Sequence, residues 1–239
     1  MRSVRSVIVV CVLGGIALAG DPDAGPAPHP RAGERLQMVE RYLVKEGIRD
    51  PATLQAMRSV PRHEFVPPEL VSVAYDNRPL PIGLGQSISQ PYIVAYQTEV
   101  VRPREGMKIL EVGTGSGYQA AVLAAAGARV FTIEIFAELA TSARQRLQRL
   151  GYRATVRHGD GNEGWPEEAP FDAIVVTAAA SHVPPALVEQ LRPGGRMVIP
   201  VGGMYGAQNL ISVEKDAAGE VRTRILLPVA FVPMLSGLR

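Results

Sequence analysis

The residues most able to do chemistry stand together in Ile109-Leu110-Glu111-Val112-Gly113-Thr114-Gly115-Ser116-Gly117-Tyr118. An apolar pair leads to an acid, then to glycines at alternate positions, then to an apolar, alanine-rich stretch from Ala120 to Ala126. That order reads as a buried strand, a tight turn and the start of a helix. Glycine lacks a Cβ and tolerates positive φ, so such a turn lets a ligand press against bare backbone. The spacing is not the dinucleotide fingerprint, whose third glycine would fall where Tyr118 stands. It is not a phosphate-binding P-loop either, because no Gly-Lys-Ser/Thr follows. Glu111, just ahead of the first glycine, would repel a pyrophosphate and suits a ligand with a cationic end. S-adenosyl-L-methionine carries both an ammonium and a sulfonium. The candidate cofactor turn is therefore Glu111, Gly113, Thr114, Gly115, Ser116 and Gly117.

The elements around this turn alternate. Apolar runs predict strands at Lys108–Val112, Arg129–Ile135, Ala154–His158, Ala173–Thr177, Arg196–Val201, Leu210–Glu214 and Arg224–Phe231. Helical patterns fall at Gln119–Ala126, Ala137–Leu150 and Pro184–Leu191. The order predicts an α/β fold with a doubly wound, mostly parallel seven-stranded sheet. The first five strands should be parallel and one of the last pair antiparallel. In such a sheet a ligand binds beyond the carboxyl ends of the strands, at the topological switch point. Glu134 ends the second strand, about 20 residues past the glycines, where an acid can hold ribose hydroxyls. Asp160 and Gly161 follow the third strand, where they could meet an adenine amine. Thr177 follows the fourth, with small Ala178 and Ala179 leaving room. Each has a plainer alternative: a tight strand–helix connection, a solvated strand end, a turn cap.

Upstream, helical periodicity runs from Glu34 to Gly47, a second helix opens at Asp50-Pro51 and runs through Met57, and a third starts at Pro67-Pro68 and reaches about Tyr75. Pro79 to Pro91 reads as a loop without periodicity, and Ile93 to Val101 as a helix. The loop, Pro79-Leu80-Pro81-Ile82-Gly83-Leu84-Gly85-Gln86-Ser87-Ile88-Ser89-Gln90-Pro91, is the specific signal. Together with Glu111–Tyr118, His158-Gly159-Asp160-Gly161, Phe171–Ala179, Phe231-Val232-Pro233, Val60-Pro61-Arg62 and Phe65-Val66, it resembles the protein-L-isoaspartate (D-aspartate) O-methyltransferase family. The likeness spans about Arg35 to Met234.

The resemblance implies methyl transfer from S-adenosyl-L-methionine to the free carboxylate of an L-isoaspartyl residue in a damaged protein, with S-adenosyl-L-homocysteine as product. D-aspartyl residues are the second substrate class in the family's name. The ester then cyclises to a succinimide, and repair begins. The family's active-site serine maps onto Ser89; Ser87, Ile88, Phe231 and Val232 map onto substrate-binding positions. Read alone, Ser87 and Ser89 would sooner bond their own loop backbone, as serines in turns often do, and the resemblance reverses that reading for Ser89 only. Ser87 stands where the family usually has Thr, and Ala230 where some relatives have Arg. His158 and Trp165 read as structural, and Arg144, Arg146 and Arg149 as a solvated helix face.

Two rival readings share these residues: a small-molecule methyltransferase of the same fold, and a non-catalytic module that binds damaged protein. Lys and Arg number 25 against 23 Asp and Glu, so no basic footprint for nucleic acid exists. The lone Cys11 and four scattered histidines offer no metal site. Isoaspartyl peptides and proteins are the expected partners, and a monomer the expected state. The domain organisation expected is a signal-like segment at 1–19, a flexible linker at 20–33, and one methyltransferase domain at 34–239. Within that domain, 34–107 carries the helices and substrate loop and 108–239 the Rossmann-like core. Arg2 and Arg5 precede an apolar run ending in Ala17-Leu18-Ala19, the pattern of a secretory signal. Export to the periplasm or beyond is therefore expected; a cytoplasmic location is the alternative, since family and cofactor supply both point there.

Overall fold

The structure, a computed structural model, describes residues 31–203 and 206–238. The expected signal-like segment at 1–19 and most of the linker lie outside these residues.

The core is a seven-stranded sheet. Its strands are β3 (Lys108–Val112), β4 (Arg129–Glu134), β5 (Ala154–His158), β6 (Phe171–Val176), β7 (Leu191–Gly202), β8 (Gln208–Lys215) and β9 (Val221–Val229), in spatial order β5-β4-β3-β6-β7-β8-β9. The pairs from β5 through β7 are parallel; β8 runs antiparallel to β7, and β9 antiparallel to β8. Of the last pair only β8 opposes the five parallel strands, as the sequence predicts. β7 starts earlier than expected, at Leu191. A register shift between Phe171 and Ala173 absorbs the residues around Pro193-Gly194-Gly195.

Alternation along β3 decides what faces what. Ile109 lies in the apolar cluster on the helical N-terminal side; Leu110 and Val112 lie in the cluster on the opposite face. The period of two places Glu111 on the first face, beside its register partner Thr132 on β4. Glu134 follows two residues later on the same face. From β3 the chain passes to β4 on one side and later returns to β6 on the other, so the switch point lies at the end of β3.

Helices cover both faces: α1 (Ala32–Val39, continued by a wider turn over Glu40–Val44), α2 (Pro51–Ser59), α3 (Pro91–Val101), α4 (Tyr118–Ala125), α5 (Ala137–Arg149) and α6 (Pro185–Gln190). α1 begins at Ala32, inside the segment expected to be linker. Asp50 caps α2 by accepting from the Thr53 amide at 2.9 Å, and Pro51 supplies the pre-set φ of the first turn. The same proline logic starts α3 at Pro91, two residues before the expected Ile93.

The segment expected to be a plain loop is instead a hairpin, β1 (Leu80–Gly83) with β2 (Gln86–Ile88), in which Leu80 pairs with Ile88 and Pro81 with Ser87. Its tip, Gly83-Leu84-Gly85, holds φ values of 95°, 51° and 71°. Two glycines make that left-handed run feasible, and Leu84 bears the strain.

Candidate active site

At the carboxyl end of β3 the glycine turn has positive φ at Gly113, Gly115 and Gly117. The packing shows why a side chain is excluded. A Cβ on Gly113 would stand 2.4 Å from Thr177 Oγ1, whose hydroxyl meets the Gly113 carbonyl at 2.7 Å. A Cβ on Gly115 would touch Ile82 of the hairpin at 3.3 Å, and one on Gly117 would touch Leu147 of α5 at 3.3 Å. Gly161 lets the loop after β5 approach β3, since its Cβ would lie 2.3 Å from Val112.

Two acids face this turn. Glu134 is 4% exposed; one carboxylate oxygen accepts from the Gly115 amide at 2.7 Å and the other from the Phe136 amide at 3.1 Å. Glu111 is fully buried. Thr132 Oγ1 donates to its Oε2 at 2.5 Å, and Thr132 stands 2.6 Å from Thr114 Oγ1 in the turn. Burial pushes the Glu111 carboxyl up to about 8, with the nearby Glu134 adding to the rise.

These groups line a cleft at the carboxyl end of β3. A second, open groove runs beside it, walled by the start of α3 and by residues 227–232. The two cavities share Ser87, Ser89, Thr177 and Val232. Among the described residues, neither serine hydroxyl has a protein hydrogen-bond partner. They do not bond their own loop, the plainer alternative raised by the sequence. The C-terminal segment reaches the junction because Ala179 N donates to Val232 O at 2.8 Å and Met234 N to Ala179 O at 2.7 Å.

Of the residues singled out in the sequence, Glu111, Gly113, Thr114, Gly115, Ser116, Glu134, Gly161 and Thr177 line the cleft, together with Ser87, Ile88, Ser89 and Val232. Gly117 does not line it; it packs against Leu147 and Ala143 of α5. Phe231 lines the open groove only, its backbone clamped by the Gln208 amide at 2.7 and 3.2 Å. Asp160 lines neither cavity. Its carboxylate accepts from the Asn162 backbone and side chain and from the Gly237 amide, each at 2.9 Å. Burial opposes its ionisation, but these bonds outweigh it and hold the carboxyl below its ordinary value.

Several lining residues escape sequence reasoning: Tyr118, Gln119, Phe136, Met234 and Leu235. Gln119 carries a usable signal, a lone amide in an apolar helix, and it donates to Thr98 Oγ1 at 2.9 Å. Tyr118 is buttressed by the Val60-Pro61-Arg62 and Phe65 motif. Arg62, fully buried, lies 4.9 Å over its ring and donates to Ala74 O at 2.9 Å, while Phe65 packs edge-on at 5.4 Å. The solvated face expected on α5 is corrected in part. Arg146 donates to Ser116 O at 2.9 Å and Arg144 to Val156 O at 2.9 Å, because α5 packs beside the glycine turn and β5; Arg149 pairs with Glu64 at the surface. Trp165 packs edge-on against Phe131, and His158 meets Ile135 O at 3.1 Å.

Residues 34–239 match the family model described as protein-L-isoaspartate(D-aspartate) O-methyltransferase (PCMT). The chain belongs to this family. Protein-L-isoaspartate O-methyltransferase 2 of Syntrophobacter fumaroxidans is 50% identical over 99% of this chain and 98% of its own length. The like-named protein of Polaromonas sp. is 60% identical over 77% of this chain and 88% of its own length. Among solved structures, a protein-L-isoaspartate O-methyltransferase superposes with a TM-score of 0.77 at 27% identity, covering 86% of this chain and 66% of that one. A structure assigned as the Plasmodium falciparum family member, in complex with S-adenosyl-L-homocysteine, superposes with a TM-score of 0.73 at 25% identity, covering 84% of this chain and 98% of that one. The signal-like segment lies outside the family match, and the comparisons lend an export signal no support.

Proposed function

We propose that this chain performs the family's reaction, methyl transfer from S-adenosyl-L-methionine to the free carboxylate of isoaspartyl residues, with its residues in the following roles. The glycine turn from Gly113 to Gly117 and Glu134 hold the nucleoside donor, Glu134 through the ribose hydroxyls. Glu111 faces the donor's cationic amino-acid end, and Gly161 and Thr177 close the walls. Asp160 acts by fixing the loop that carries Gly161. Ser89 positions the acceptor carboxylate, with Ser87 beside it. Ile88, Phe231 and Val232 form the groove for the flanking polypeptide. The donor supplies an electrophilic methyl group on sulfur.

The chemistry asks little more of the protein. A carboxylate with a reference pKa of about 4 is already ionised at neutral pH and needs no general base. One of its oxygens attacks the methyl carbon, the carbon–sulfur bond breaks, and the electron pair stays on sulfur. Alignment of two bound reactants can supply up to about 7–11 kcal/mol of the barrier.

One observation carries this reading: the cleft and the adjoining groove meet at Ser87, Ser89, Thr177 and Val232. A small-molecule methyltransferase needs no such second groove. The test is methylation of matched isoaspartyl and aspartyl peptides. Base-labile ester on the isoaspartyl peptide alone supports the reading; ester on neither, or equally on both, refutes it.

A monomer is the state expected of this chain; sedimentation velocity showing a dimer would contradict that. Arg2, Arg5 and the apolar run before Gly20 support export. N-terminal sequencing after cell fractionation checks this. A start near Gly20 in the exported fraction agrees with it, and intact Met1 in the cytoplasm contradicts it.

A further inference from the structure

Among the described residues, three buried side-chain oxygens lack a hydrogen-bond partner: Oε1 of Gln97, Glu111 and Gln119. Glu111 and Gln119 line the donor cleft, and of the three only Glu111 can ionise. Its surroundings are mixed: the Thr132 hydroxyl on β4 and backbone at Ala120 on α4 favour the charged form, but burial beside apolar Val175 of β6 and the like charge of Glu134 outweigh them. Tyr118, next to it on the cleft wall, is held neutral by its own burial. Neither Arg62, bound to Ala74 O and lying over the Tyr118 ring with its Nη1 left without a partner, nor Arg146, bound to Ser116 O, pairs with it. A fully buried carboxyl with no cation beside it keeps its proton well above the usual carboxylate range.

We propose that donor binding expels this proton: the cationic amino-acid end of the nucleoside ionises Glu111, and the proton passes to solvent. This rests on the functional reading above and deepens it. No covalent bond changes; a buried O–H is exchanged for an ion pair. The relay Thr114–Thr132–Glu111 then links the charge state of the acid to the glycine turn itself. The free protein holds the proton until about pH 8, so affinity for the nucleoside should rise with pH below that point. One linked proton gives up to about a tenfold change per pH unit.

The test is calorimetry of S-adenosyl-L-homocysteine binding at pH 6.5 in phosphate and in imidazole, buffers of different ionisation enthalpy. At that pH an α-amino group, which titrates near about 8, stays charged throughout. The expected result is release of close to one proton per nucleoside bound, lost in Glu111→Gln. Equal heats in both buffers would overturn the coupling, as would release that persists in the variant. Should Glu111→Gln fold poorly, the wild-type protein alone suffices. The infrared band of a buried protonated carboxyl must be present in the free protein and vanish on adding the nucleoside; a band that stays, or was never there, overturns the proposal. Binding without proton release would leave the donor site standing and remove only the coupling. No binding at all would remove both.

Discussion

The carboxylate of Glu134 accepts the backbone amide of Gly115 at 2.7 Å, tying the end of β4 to the middle of the glycine turn. The bond is charge-assisted, and bonds of this kind contribute about 1.5–3 kcal/mol. Glu134→Gln should therefore weaken S-adenosyl-L-homocysteine binding by about 10–100-fold, while turnover at saturating donor changes much less. Calorimetry and a donor titration of the initial rate separate the two effects. A variant with wild-type affinity would remove Glu134 from the donor site.

Gly113 and Thr177 impose a second constraint. Gly113→Ala places a methyl 2.4 Å from Thr177 Oγ1 at a φ of 100°. The expected outcome is loss of donor binding and a lower Tm, since overpacking costs about 1–3 kcal/mol and the left-handed backbone adds to it. Adding Thr177→Ala should recover part of the Tm, because it removes the clash but not the φ penalty. Thermal melts of the single and double variants check this.

Ser89 offers its hydroxyl at the junction of the two cavities with no protein partner to release. Ser89→Ala should lower turnover on an isoaspartyl peptide by about 10–100-fold, the loss of one hydrogen bond to a charged acceptor. Affinity for S-adenosyl-L-homocysteine should stay unchanged. Full turnover in this variant would reassign the acceptor site.

The parts of the site on long elements were legible in the sequence. β3 and β5 have the predicted bounds, and Glu111 to Gly117 fall where strand periodicity and glycine spacing put them. The hairpin was not legible, because strands of four and three residues interrupted by Pro81 are too short to show alternation. Arg146 misled for a different reason. An arginine on a polar helix looks solvated in sequence, but α5 lies against the turn and turns that charge toward Ser116 O. Asp160 stands at the expected strand end, yet nothing local signals that residue 237 returns to claim its carboxylate. Long-range closure of this kind is invisible to spacing.

Glu111 also sets a pH dependence of stability. Its carboxyl titrates near about 4.3 when unfolded and near about 8 when folded. The folded state thus binds this proton more tightly. The contribution is fully present below about pH 4 and is lost as pH rises through about 8. The Tm of the free protein should fall over that window by more than the Tm of Glu111→Gln does. Saturating nucleoside should flatten the wild-type curve. Parallel curves for the two proteins would place the proton elsewhere.

The measurement closest to the central claim is a crystal structure with S-adenosyl-L-homocysteine and an isoaspartyl peptide bound together. The nucleoside should lie on the turn between Gly113 and Gly117 with its ribose at Glu134, and the isoaspartyl carboxylate at Ser89, facing the sulfur across the junction of the two cavities. A nucleoside bound away from that turn, or a carboxylate held outside the reach of Ser89, would contradict it.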